Sequence, residues 1–164
     1  MENLGALMMD LEGLQLSNAE EELIRQPVVG GLILFSRNYQ NKSQLHELIN
    51  SIRQIRPEII IAVDQEGVRV QRFREGFLSL PPIYSLNQLY AKDPEQAKSS
   101  AKELGWTMAA EILHAGLDLS FAPVLDLYNS NSPVIKERAF SDSAKTVVEL
   151  ARSYIAGMHE AGMV

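Results

Sequence analysis

Residues 59–74 read IIIAVDQEGVRVQRFR, and this stretch decides the fold. Ile59–Val63 is apolar and rich in β-branched residues, with no polar position to mark a solvent face. Such a run is a parallel strand covered on both sides. It stops abruptly at Asp64, Gln65 and Glu66, then Gly67, followed by Arg69, Gln71, Arg72 and Arg74. Charged groups just past the C-terminal end of a buried parallel strand occupy the place where α/β folds keep their ligand sites.

Upstream, Leu4–Met9 reads as a first strand ending at Asp10. Ser17 or Asn18 can cap a helix from Ala19 to about Gln26, whose Glu20, Glu21 and Glu22 suit the positive end of its dipole; Pro27 stops it. Val28–Phe35 is a second buried strand. Lys42–Arg56 spaces Leu45, Leu48, Ile49, Ile52 and Ile55 as one helical face, with Ser43 as a start and Pro57 as a stop. Downstream, Phe73–Pro94 is predicted to be long and irregular, with Gly76, Pro81 and Pro82 as breakers. A helix over Gln96–Ala115 buries Ala97, Ala101, Leu104, Met108 and Ile112. Leu119–Val124 is a fourth strand, and a second irregular loop spans Leu127–Ser141. A helix over Ser143–Ala161 has Ala144, Val147, Ala151, Tyr154 and Met158 as its stripe and Gly162 as its C-cap signal.

Strand and helix thus alternate four times, which implies a parallel sheet with right-handed crossovers. The pattern fits either an open doubly wound sheet or part of a (β/α)8 barrel. The barrel is favoured because no GxGxxG or GxxxxGKS/T loop follows a strand. The long loops also fall after strands three and four, on the face where barrels build active sites. The expected fold is α/β, the first half of a TIM (β/α)8 barrel, with the chain stopping between units.

The composition narrows the function. A net charge of −6 offers no basic surplus for nucleic acid, and the absence of cysteine excludes disulfides and thiolate metal sites. The first residues, MENLGALMMDLEG, lack the basic n-region of a signal peptide. No apolar run approaches the roughly 20 residues of a membrane span. A cytoplasmic protein is expected. His46, His114 and His159 all fall within helices, so no metal is expected. Trp106 and the methionines at 8, 9, 108 and 158 are read as core, and no GxSxG elbow is present.

Asp64 can take two hydrogen bonds from neighbouring sugar hydroxyls, or pair with Arg69 or Arg72 to hold its own loop. Glu66 has the same two readings. Arg69, Arg72 and Arg74 suit a carboxylate, phosphate or diol, or belong to a solvated loop. Arg138, in the loop after strand four, should reach the face that carries Asp64.

At VVGGLILFSRN, AVDQEGVRVQRFREGF, LSFAPVLD and VIKERAF the chain resembles the bacterial β-N-acetylhexosaminidases of glycoside hydrolase family 3, over essentially all 164 residues. The resemblance implies hydrolysis of terminal N-acetylglucosamine from 1,6-anhydromuramyl fragments during peptidoglycan recycling, without cofactor. It places the sugar-hydroxyl binder of the DQEGGRVQR block on Asp64, its final arginine on Arg72, and the arginine of a GERSF-type segment on Arg138. Two glycines of that pattern are Val68 and Lys136 here, which should strain or shift the turn holding Asp64 and Arg72.

The family's KHFPGHG segment and its nucleophilic aspartate find no counterpart in these residues. The 164 residues are therefore expected to hold part of the sugar site, no catalytic residue, and no activity of their own. They are also expected to self-associate through unpaired strand edges. A sugar or muropeptide binder without catalysis, and a degenerate structural chain, are the alternatives.

Overall fold

A computed structural model describes residues 5–164. Four strands, β1 (Leu7–Asp10), β2 (Val29–Leu34), β3 (Ile60–Val63) and β6 (Leu119–Ser120), form one parallel sheet in the order β1-β2-β3-β6. The helices between them are α1 (Asn18–Ile24), α2 (Lys42–Ile55), α3 (Ser85–Tyr90) and α4 (Pro94–His114), with α5 (Ala144–Glu160) after β6. Between β3 and α3 a small antiparallel hairpin pairs β4 (Gln65–Gly67) with β5 (Val70–Gln71).

Register explains why the sheet has one covered face and one concave face. Leu32 and Leu34 stand beside Ile61 and Val63, and these four are wholly buried in the core that α2 and α4 complete with Leu45, Ile52, Met108 and Ile112. The alternate row runs Asp10–Ile33–Ala62–Leu119, with Met8–Gly31–Ile60 below it. Met8 in that row is 39% exposed, and Ile33, Ile60 and Leu119 are only half-buried. A doubly wound sheet would cover both rows. Helices over one row alone, on a four-stranded parallel sheet with sequential order, are the arrangement of a partial TIM barrel.

Several local expectations needed correction. Leu4, assigned to the first strand, lies outside the described residues. Asn41, not Ser43, caps α2, its side chain accepting from the Gln44 N–H at 2.9 Å. The fourth strand is two residues long. Ser120 Oγ accepts the Gln65 and Ala122 N–H groups, both at 3.2 Å, and Pro123 has no N–H to continue a ladder. The loop expected to be irregular contains β5's continuation, Phe73, packed against Tyr39 and Phe77, and then α3. Trp106 is 48% exposed rather than core, because Gly105 and Ala109 occupy the buried face of α4 beside it. Met8 is exposed for the reason given by its row.

Candidate functional site

The site is built where the strands end. Asp64 directly follows β3 and continues the concave row from Ala62, so its carboxylate rises at the mouth of the sheet. The hairpin then folds back, and Arg72 returns to Asp64 by two bonds. Its backbone N–H donates to the Asp64 carbonyl at 3.4 Å, and its Nη2 donates to Asp64 Oδ2 at 3.0 Å. The Arg72 and Asp64 side chains are 28% and 23% exposed, so the pair is sheltered yet open to a ligand. The Arg72 guanidinium also lies over the Phe35 ring, 5.4 Å from its centroid, with Arg37 over the same ring at 4.8 Å. Arg37 in turn pairs with Asp10 at the end of β1.

Two glutamines make the hairpin rigid. Gln65 donates to the Phe73 carbonyl at 2.9 Å and accepts the Phe73 N–H at 3.1 Å. Gln71 donates to the Leu78 carbonyl at 2.8 Å and accepts the Leu80 N–H at 3.1 Å. Both are buried, so each satisfied amide replaces backbone ladder bonds that this short hairpin lacks.

Glu66 faces the opposite loop. Arg138 donates from Nε and Nη2 to its two carboxylate oxygens at 2.6 and 2.7 Å, across 72 residues of chain. This is the fork-to-fork geometry of a strong charge-assisted pair, with Glu66 only 10% exposed. The bond to Glu66 raises the Arg138 guanidinium above its ordinary range; burial opposes this, and the charges of Glu66, Asp64 and Asp126 reinforce it. Beside the pair a small cleft of about 20 Å³ is lined by Val68, Ile83, Pro123 and Tyr154. Burial, with Glu66's charge behind it, pushes the Tyr154 hydroxyl upward.

The fold therefore brings Asp64, Arg72 and Arg138 to one mouth. Of the other arginines, Arg69 donates to the Val134 carbonyl and Arg74 to the Val68 carbonyl, so both serve the loops. The partnership of Glu66 with Arg138 and the place of Phe35 under two guanidinium groups were not expected from the sequence. Glu66 shares the i, i+2 face of Asp64, the only sequence signal it had; Phe35 closes a strand on the concave row.

Val68 and Lys136 adopt φ of 47° and 41°, the left-handed region that favours glycine. The turn at Val68 is thus strained, and Asp64 and Arg72 pair across it. Among the described residues no group of three His, Asp or Glu side chains is arranged to hold a metal. No helix there is long and apolar enough to cross a membrane.

Residues 2–164 match the glycosyl hydrolase family 3 N terminal domain. A β-hexosaminidase of Alkalilimnicola ehrlichii is 53% identical over 161 residues, which is 98% of this chain and 46% of that protein. A β-hexosaminidase of Shewanella frigidimarina is 54% identical over 157 residues, again covering 46% of its length. The crystal structure of NagZ from Neisseria gonorrhoeae in complex with N-trifluoroacetyl-D-glucosamine superposes with a TM-score of 0.94 at 42% identity. That match covers 97% of this chain and 48% of NagZ. The chain spans about half the length of the relatives it matches. With residues 2–164 matching that domain and these relatives alike over nearly all of its length, the chain belongs to glycoside hydrolase family 3.

Proposed function

We propose that these 164 residues form the first half of the barrel of a β-N-acetylhexosaminidase and carry its sugar-hydroxyl subsite on Asp64, Arg72 and Arg138. The observation that carries this reading is that Asp64 and Arg72, though paired, stay 23% and 28% exposed at the end of β3. Arg72 engages one Asp64 oxygen, which leaves the other to accept from a hydroxyl while the remaining guanidinium N–H groups donate to its neighbour. Acceptor and donor side by side suit a vicinal diol.

Neither strand-end carboxylate suits proton donation to a leaving group. Asp64 and Glu66 both accept from guanidinium groups, and a general acid must present its own proton. Retaining glycosidases need a nucleophile and an acid roughly 5 Å apart across the scissile bond. In this reading both come from segments other than these residues, and the activity belongs to a longer protein. Its substrate would be terminal N-acetylglucosamine on cytoplasmic muropeptide fragments, as the resemblance to the bacterial β-N-acetylhexosaminidases implies. The open edges of the sheet would make the isolated chain self-associate.

Titration of the 164-residue chain with N-acetylglucosamine tests this. Saturable binding at millimolar sugar, lost in Asp64→Asn and Arg72→Met, with no release of a chromogenic aglycone, is expected. Turnover by this chain that survives Asp64→Ala would overturn it. A non-catalytic sugar binder is the second reading, favoured by the strained Val68 and Lys136. It predicts the same binding but no hydrolysis by any longer product.

A further inference from the structure

We infer that Glu66 is the positioning residue of the site: its carboxylate locks the Arg138 guanidinium so that the edge left over faces the sugar. The inference rests on the proposed sugar subsite. Arginine has five N–H donors in a rigid plane. Glu66 takes two of them, from Nε and Nη2, and the Val134 carbonyl takes a third from Nη1 at 3.3 Å. The two that remain, one on Nη1 and one on Nη2, have no acceptor among the described residues and are left for a ligand. A monodentate partner would let the plane rotate; the bidentate one fixes it.

The backbone around the pair shows the same bond acting as a clamp. Val68 lies two residues after Glu66, and Lys136 two residues before Arg138. These are the non-glycine residues with positive φ among those described. The pair is thus flanked on each side by a turn held away from its relaxed conformation. Cross-bonds hold the loops face to face, with Arg69 donating to Val134 and the Tyr84 N–H to the Glu137 carbonyl at 3.3 Å. Strained turns persist only where surrounding contacts over-determine them, and the part-buried Glu66–Arg138 fork is a charge-assisted contact of that kind.

The test uses the ¹⁵N-labelled 164-residue chain, with the Arg138 Nε–H resonance assigned through Arg138→Lys. In the wild type this proton should exchange at least tenfold more slowly than those of exposed arginines such as Arg25. Glu66→Gln should abolish that protection and weaken N-acetylglucosamine binding at least tenfold while the Asp64–Arg72 bonds persist. If Glu66→Gln does not fold, Glu66→Asp, one methylene too short for the fork, replaces it. Protection unchanged in the variant would overturn the inference. So would lost protection with sugar affinity within twofold of wild type, since Glu66 would then only hold the loop. Absence of sugar binding in the wild type would instead defeat the subsite reading, and the Arg138 exchange rate would still decide whether Glu66 locks the guanidinium.

Discussion

Val68 carries the clearest local cost in the molecule. A β-branched side chain at φ 47° brings Cβ toward the preceding carbonyl, a penalty of roughly 1–2 kcal/mol for an L-residue. Glycine would remove that clash but release about 0.5–1 kcal/mol of additional chain entropy on unfolding. The balance favours glycine. Val68→Gly should therefore stabilise the chain by up to about 1 kcal/mol, read as a higher urea midpoint at unchanged slope. Lys136→Gly should do the same by less, because lysine is unbranched at Cβ. A destabilised Val68→Gly would mean that the exposed valine side chain makes contacts worth more than the strain.

At the scale of elements, α1 is short and depends on its ends. Ser17 caps it in a capping box, and Glu20 returns the bond, accepting from the Ser17 N–H and hydroxyl at 2.8 and 2.7 Å and from the Glu12 N–H at 2.8 Å. Burial would push the Glu20 carboxyl up, but these donors outweigh it and hold it below 4.5. A folded-state pKa below the unfolded one contributes stability that is present above about pH 4.5 and lost as pH falls through the folded value. Glu20→Gln should thus lie about 1 kcal/mol below wild type at neutral pH, with the gap closing as pH falls through the lowered folded-state value. A gap independent of pH in denaturant titrations would assign the loss to shape instead of charge. Ser17 and Glu20 were readable as a helix start because capping is local. So were β2 and β3, whose apolar runs allow no solvent face. The two-residue β6 was not, because what ends it is Ser120 turning its hydroxyl to Gln65, 55 residues away. For the same reason the sequence could place Arg138 on the right face but could not name Glu66 as its partner. Trp106 misled because aromatic bulk says nothing about which side of α4 it occupies.

The whole molecule is defined by what its sheet leaves open. Among the described residues β1 pairs only with β2 and β6 only with β3, so both edges present unpaired N–H and C=O groups. Leu7 and Met8 are exposed along the first edge, at 51% and 39%. Beyond the other, Leu125, Leu127 and Val148 line an apolar groove along α5, each about half exposed. Two forces then compete when copies of the chain meet. Edge pairing and apolar burial draw them together, while a net charge of −6 on each keeps them apart. The repulsion is screened beyond about 8 Å at physiological salt, whereas burial at the contact is not. Attraction should therefore win as salt rises. Sedimentation velocity on the 164-residue chain should show association that grows with concentration and with salt. Met8→Glu combined with Val148→Glu, which adds like charge to both open sides, should return it to monomer. A wild-type chain that stays monomeric at every concentration and salt, with a sharp melting transition, would mean that its edges are blunted by their own twist and shortness, and that the half-barrel is a self-sufficient fold.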